Sequence, residues 1–173
     1  MDDYQFYKSF YERELKRRYD LDSSINLPLT ILGIVITANT YLAKNIFPVK
    51  SIFEISYKHI LIFLFFLIVI FIILFLIKSF NNFYKGFEYR NFGNYGEVRI
   101  YQKKLELYNS NQNDDKKKID FETKIIEKLV DFSTNHCVIN DNRSYDLYIA
   151  KTAIIISIFL TIINYLFIAT IKI

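Results

Sequence analysis

Residues 60–77, ILIFLFFLIVIFIILFLI, decide the fold. This run holds eighteen consecutive apolar residues with no Gly, no Pro and no polar side chain. As a helix it is about 27 Å long at 1.5 Å per residue, close to the roughly 30 Å hydrocarbon core of a bilayer. A soluble core can hide a helix that is apolar all round. A chain of 173 residues, however, lacks the mass to cover this one together with two further apolar runs. The run therefore reads as a membrane span. The composition agrees, with 52% hydrophobic residues, seventeen Phe, fourteen Tyr and only four Gly and two Pro. The chain reads as an integral membrane protein of one domain. Its single Cys137 excludes an internal disulfide. The net charge of +4 comes mostly from Lys and Arg beside the spans, so it is not by itself a nucleic-acid signature.

Before this span, residues 45–59 (NIFPVKSIFEISYKH) read as a hairpin connection, with Pro48 as its turn and Phe53 and Tyr57 near the interface. Residues 27–43 (LPLTILGIVITANTYLA) are long enough for another span, and its hydrophobicity is interrupted by Thr30, Gly33, Thr37, Asn39 and Thr40. At 100° per residue, Thr30, Gly33, Thr37, Thr40 and Lys44 share one sector, the pattern of a helix facing other helices or water rather than lipid. Residues 20–26 (DLDSSIN) are rich in capping side chains, and Pro28 lies in the first turn of the helix they would start. Residues 4–19 form an amphipathic helix, with Tyr4, Tyr7, Tyr11 and Leu15 on one stripe and Phe10 beside it. Lys8, Arg13, Lys16, Arg17 and Arg18 are expected opposite that stripe, an arrangement that suits an anionic membrane surface or a partner. Packing on the protein's own cytosolic part is the competing expectation. A cleaved signal peptide is disfavoured by the long charged leader and the lack of an A-x-A site.

After the central span, Phe80, Phe83, Tyr84, Phe87 and Tyr89 suggest that the helix continues out of the membrane until 91–96 (NFGNYG) breaks it. Val98, Tyr101, Leu105 and Tyr108 restore a helical stripe, and 109–118 (NSNQNDDKKK) form a polar loop tip. From Asp120 onward there is no Gly or Pro, which permits one long helix capped by Asp120. Phe121, Ile125, Leu129, Phe132, His136 and Ile139 repeat with a period near 3.5, and residues 150–171 make a third span. In that span Ala150, Ala153, Ser157, Thr161 and Asn164 share an inward face.

The expected fold is thus an all-α membrane protein with three transmembrane helices, at 27–44, 59–78 and 150–172. An N-terminal amphipathic cytosolic helix occupies 1–26 and a cytosolic helical region occupies 79–149. Five cations in the leader and many between the second and third spans, against Lys172 at the end, put the N-terminus in the cytosol and the C-terminus outside.

The usual catalytic motifs are missing: there is no G-x-S-x-G, no P-loop, no H-E-x-x-H and no Cys pair with metal spacing. His59 and His136 stand alone, and no enzyme activity, cofactor or metal is expected. Two features remain. Thr37, Thr40, Ser157, Thr161 and Asn164 either pack helices together or, in an oligomer, line a water-filled path, since three helices leave no room for a pore. Residues 79–148 carry eleven basic and eleven acidic residues, a balance against broad nucleic-acid binding. A defined pocket for an anion could use Arg90, Arg99, Lys103, Lys104 or Arg143, with Tyr and Phe for stacking. The bland reading is a solvated surface.

The leader into the first span (ERELKRRYDLDSSINLPLTILGIVITANTYL) and the run into the last (VDFSTNHCVINDNRSYDLYIAKTAIIIS) resemble small transmembrane effectors of bacterial anti-phage defence. The basic and aromatic leader with its Leu-Asp-Ser-Ser cap carries the resemblance, with Asn135, Asn140, Asn142 and Arg143 ahead of the third span. Such effectors accompany nucleotidyltransferases, in cyclic-oligonucleotide-based systems or in the Hailong type. The resemblance implies a homo-oligomer, for which a tetramer is the expectation, in the bacterial inner membrane. It implies a nucleotide or short oligonucleotide ligand made by a nucleotidyltransferase encoded nearby, with Asn140, Asn142 and Arg143 joining the ligand-binding candidates. The implied outcome is depolarisation and growth arrest of the infected cell, that is, abortive infection. The chain departs from such effectors in having no separate ligand-sensing domain. The alternative function is a non-conducting anchor or scaffold that recruits a cytosolic partner.

Overall fold

The computed structural model describes residues 2–44, 57–80 and 88–169, and these are all-helical, with no strand. The helices are α1 (Asp3–Ser23), α2 (Asn26–Lys44), α3 (Tyr57–Ser79), α4 (Tyr95–Ser110) and α5 (Phe121–Ala169), with one 3-10 turn at Asp115–Lys117. Three of the helical segments are long and apolar enough to cross a membrane, in α2, α3 and the C-terminal part of α5. Residues 45–56 of the expected hairpin connection at 45–59, the aromatic run from Phe83 to Phe87, and Lys172 lie outside the described residues, while Tyr57, Lys58 and His59 belong to α3.

Local signals explain most boundaries. Asp120 Oδ2 accepts from the Thr123 backbone N–H at 2.8 Å and caps α5, as its sequence position suggests. Asn94 caps α4 by accepting from the Glu97 N–H at 2.9 Å. Residues 88–94 are irregular, which agrees with a break at 91–96. One boundary differs from expectation: α1 does not stop at Tyr19 but runs to Ser23. The hydroxyls of Ser23 and Ser24 bond back to the Asp20 carbonyl instead of capping α2. Burial of Leu21 and Ile25 supplies the reason, because extending the helix puts both into an apolar core.

The chain divides into two compact units. One comprises Met1–Tyr19 with Phe87–Asp141, the other Asp20–Gly86 with Asn142–Ile173. The second holds the apolar helices. Its core is built by Leu32 and Val35 of α2, Phe65, Val69, Ile72 and Leu76 of α3, and Leu147, Ala150, Ala153 and Ile154 of α5. The first is held by α1, α4 and the N-terminal part of α5 around Tyr11, Phe92, Leu105 and Leu129.

The structure corrects three of the expected stripes. On α2 the side turned inward is Pro28, Leu32, Val35, Asn39 and Leu42, whereas Thr30, Gly33, Thr37, Thr40 and Lys44 are all exposed. The apolar residues win the interior because they bury more area. On α1, Lys8 and Arg18 lie on the tyrosine side rather than opposite it. Lys8 borders the groove lined by Tyr4, Tyr11 and Leu15, and the Arg18 guanidinium stacks 4.4 Å over the Tyr89 ring. On α4, Val98, Gln102, Leu105 and Asn109 turn inward while Tyr101 and Tyr108 are exposed. The Asn109 side chain accounts for this rotation, since it bonds both the N–H and the carbonyl of Ile119.

Candidate functional site

The five pore-lining candidates fall into two groups. Thr37 and Thr40 are exposed, and their hydroxyls donate to the carbonyls of Gly33 at 2.9 Å and Ile36 at 2.8 Å in their own helix. Nothing lies within 4 Å of where a Cβ would stand on Gly33, so this side of α2 is open. Thr161 and Asn164 are turned toward α2, where both bond Asn39, and Ser157 is buried. Ser157 donates to Ile154 O at 2.7 Å, and Thr161 donates to Ser157 O at 2.8 Å.

Between α2 and α5 the structure places an amide pair that the stripes did not identify. Asn39 is fully buried. Its Nδ2 donates to Val35 O at 3.0 Å and to Thr161 Oγ1 at 2.6 Å, and its Oδ1 accepts from Asn164 Nδ2 at 3.2 Å. Two amides in the middle of apolar helices, each able to satisfy the other, were a readable signal. The stripe reading missed it because Asn39 lies off the threonine sector.

Near Ser79, at the end of α3, Arg143 is 1% exposed. Its Nε donates to the Ser79 carbonyl at 2.6 Å, Ser79 Oγ donates to the Arg143 carbonyl at 3.0 Å, and a guanidinium nitrogen pairs with the Asp22 carboxylate. The guanidinium thus satisfies a carbonyl that the helix end leaves without an internal partner. Arg143 was a ligand candidate, and the structure shows it engaged in joining α5 to the end of α3 and to the last turn of α1.

In the other unit, Asn140 is buried. Its Nδ2 donates to the Glu14 backbone carbonyl at 2.9 Å and to the Glu14 carboxylate at 3.1 Å, while its Oδ1 accepts from Tyr89 OH at 2.8 Å. Glu14, itself buried, also accepts from Arg13 and Arg17. Arg90 pairs with Asp131 at 2.8 Å, and its backbone N–H donates to Asn135 Oδ1. The imidazole of His136 is fully buried between the rings of Tyr11 and Tyr89. Its Nε2 lies 2.7 Å from the Arg90 carbonyl, which can only accept, so this nitrogen carries the proton. Burial pushes the His136 pKa below its ordinary value, and the charge of Arg18 adds to the effect. Burial likewise raises the thiol of Cys137 and the phenol of Tyr11, leaving neither as a ready nucleophile.

The remaining ligand candidates are Arg99, Lys103 and Lys104 on α4 and Asn142 on α5. All four are exposed, and none has a hydrogen-bond or ion-pair partner among the described residues. The structure therefore does not gather the seven candidates into one pocket. Arg90, Asn140 and Arg143 are occupied in internal bonds, and the three α4 cations stand on one helix. The first unit holds an open groove of about 760 Å³ walled by Tyr4, Tyr11, Phe92, Tyr95 and Phe121, with Lys8 and Glu12 also lining it. Among the described residues no group of three or more His, Cys, Asp or Glu could hold a metal ion. The chain matches no known protein family, no curated protein and no solved structure.

Proposed function

We propose that the protein is a homo-oligomeric membrane channel gated by an anionic nucleotide or short oligonucleotide bound to its helical part outside the membrane. On this reading it sits in the bacterial inner membrane, with its N-terminus and the 79–149 region in the cytosol and its C-terminus outside. A nearby nucleotidyltransferase makes the ligand, and the conducting state depolarises the infected cell and arrests its growth. The defence setting rests on the resemblance of the two segments quoted above.

One observation supports conduction more than any other: α2 presents Thr30, Gly33, Thr37 and Thr40 outward from its own protomer. Several copies placed around an axis would line a path with these small and hydroxylated side chains, while the α5 candidates stay within each protomer. Exposed Tyr148 and Tyr165 mark two levels of α5 that are seventeen residues apart, about 26 Å, which suits the two interfaces of a bilayer. Arg99, Lys103 and Lys104, which have no ion-pair partner among the described residues, supply cations for the ligand's phosphates. Gating follows if the ligand binds the closed and open assemblies with different affinity.

The test is planar-bilayer recording of the purified protein in a Cys137→Ser background, with Thr37→Cys or Thr40→Cys exposed to a charged thiol reagent. Block of the current at either position is expected. Absence of any current across protein concentrations and nucleotide mixtures would falsify the channel. The groove of the first unit favours a second reading, a membrane anchor that holds a cytosolic protein, in which case cells overexpressing the chain keep their membrane potential.

A further inference from the structure

The groove of the first unit combines aromatic rings with an acidic balance. Tyr4, Tyr11, Phe92, Tyr95 and Phe121 line it together with two carboxylates, Glu12 and Glu122, and one ammonium, Lys8. Lys8 is already drawn to 3.9 Å from Glu12, whereas Glu122 has no ion-pair partner among the described residues. Glu97 brings a third carboxylate to the wall, packed against Gly93 where any Cβ would collide with it. The cations Arg99, Lys103 and Lys104 are not among the lining residues. Several of the rings are held in place by their neighbours. Phe92 meets Tyr11 edge to face at 5.8 Å and Phe132 at 4.9 Å, and the Tyr11 hydroxyl donates to Asn91 Oδ1 at 3.4 Å. Elsewhere in this unit rings take a cation from the chain itself, Arg13 over Phe10 and Arg18 over Tyr89 at 4.4 Å and Lys128 over Phe132 at 5.8 Å. Among the described residues no cation of the chain covers any of the five groove rings.

We propose that this groove binds a small organic cation, an alkylated ammonium held by the aromatic rings and balanced by Glu12 and Glu122. Ring faces attract such a cation through their quadrupole, and its apolar shell suits a hollow that also holds Leu15, Ile125 and Leu129. A bare ammonium would have to shed tightly held water to enter, with few acceptors to replace it. The volume of about 760 Å³ lies within the roughly 300–1,000 Å³ usual for small-molecule sites. An anion is the wrong occupant. A nucleotide would stack its base on the same rings but would bring phosphate toward Glu12, Glu122 and Glu97, and like charges repel in a partly desolvated hollow. The site is therefore distinct from the α4 cations proposed for a nucleotide, and it stands whether or not the assembly conducts. It also gives the groove a small-molecule occupant in place of a protein.

The test uses two probes of the same shape, choline and the neutral 3,3-dimethylbutan-1-ol, titrated at millimolar concentration onto the full chain in maltoside micelles. Saturation-transfer NMR reads binding, with the signal from empty micelles subtracted. Choline should bind about tenfold more tightly than the neutral alcohol. Tyr95 is 96% exposed and Glu12 and Glu122 are exposed, so their substitution leaves the fold intact, which an unchanged thermal midpoint checks. Tyr95→Ala should weaken choline severalfold, and the double variant Glu12→Gln with Glu122→Gln should remove most of the preference for charge. Equal binding of the two probes overturns the proposal, because the groove would then be merely apolar. No transfer to choline overturns it too, as does choline binding that none of these substitutions weakens, which would place the cation elsewhere. Adenosine monophosphate is the third probe. If it displaces choline and is itself weakened by Tyr95→Ala, the groove belongs to a nucleobase and the cation site is refuted.

Discussion

The two faces of α2 both carry polar side chains, a single Asn39 on the inward one, and they satisfy them in different ways. On the outward face Thr30, Thr37 and Thr40 donate to the carbonyls of Asn26, Gly33 and Ile36, each four residues back in the same helix, at 3.0, 2.9 and 2.8 Å. On the inward face Asn39 reaches across to Thr161 and Asn164. Hydrocarbon offers no partner to an unmet donor, so both solutions are forced by the medium. A hydroxyl has one hydrogen and finds its acceptor within its own turn. An amide has two donors and an acceptor, more than one turn can satisfy. An amide in a span therefore reports a neighbouring helix of the same protomer, whereas a threonine leaves its face available to lipid, water or another copy.

The same contrast separates Arg143, enclosed among Ser79 and Asp22, from Arg99, Lys103 and Lys104, which have no partner among the described residues. Breaking the enclosed member gives the largest expected effect. Arg143→Met removes the cation from Asp22 and the donor from the Ser79 carbonyl, and a buried pair stripped of one partner costs about 3–5 kcal/mol. A large drop in the thermal midpoint of the detergent-purified protein is expected. A change no larger than that of Lys103→Gln would show that the enclosure contributes little.

Next in size is Asn39→Leu. It removes two bonds to α5, each worth about 0.6–2 kcal/mol between membrane helices. Asn164→Leu should be milder, because Asn39 keeps Thr161. The double variant should cost less than the sum of the two singles, since the Asn39–Asn164 bond is then counted once. Additive losses would mean that the two amides act independently.

A smaller effect is expected from pH in the other unit. The His136 pKa is held below its ordinary 6.5 in the folded chain, chiefly by burial. The unfolded chain therefore takes up the proton more readily, so stability is present above about 6.5 and is lost as pH falls through that value toward the folded pKa. His136→Gln keeps a donor for the Arg90 carbonyl and carries no charge. Its thermal midpoint should fall less steeply between pH 6.5 and 5 than that of the wild type, and parallel curves would assign the acid sensitivity to other groups.

Much of the helical layout was legible because it rests on period and medium. The run at 60–77 forms a helix long and apolar enough to cross a membrane, and Asp120 followed by forty-nine helical residues without Gly or Pro became one helix. Faces were legible where apolar and small residues separate cleanly, as for Ala150, Ala153, Ser157 and Asn164, all buried. They were not legible on α2 and α4, where aromatic or hydroxylated residues fit either side and the choice was made by a contact distant in sequence. Asn109 turns α4 through Ile119, and Asn39 turns toward Thr161. The anion site was the least legible. A buried arginine and an exposed one read alike in a sequence, and only partners such as Ser79, Asp22 and Glu14 tell Arg143 and Arg17 from Arg99.

The finest test of the contrast lies on the outward face itself. Thr37→Val and Thr40→Val replace a hydroxyl by a methyl of the same shape, and the hydroxyl bonded only to its own helix. Stability should move by no more than about 0.5 kcal/mol, because no bond to another element is lost. If these threonines line a water-filled path, the two methyl groups dry its wall, and single-channel conductance should fall severalfold in the double variant while its thermal midpoint holds. Unchanged conductance in a protein that does conduct would place the stripe against lipid and move the path to another face. A large loss of stability would instead show that the outward hydroxyls already grip a neighbouring copy. Among variants on this helix, only Asn39→Leu should alter stability strongly, so the pair of measurements separates a face that builds the protomer from one that the protomer offers to others.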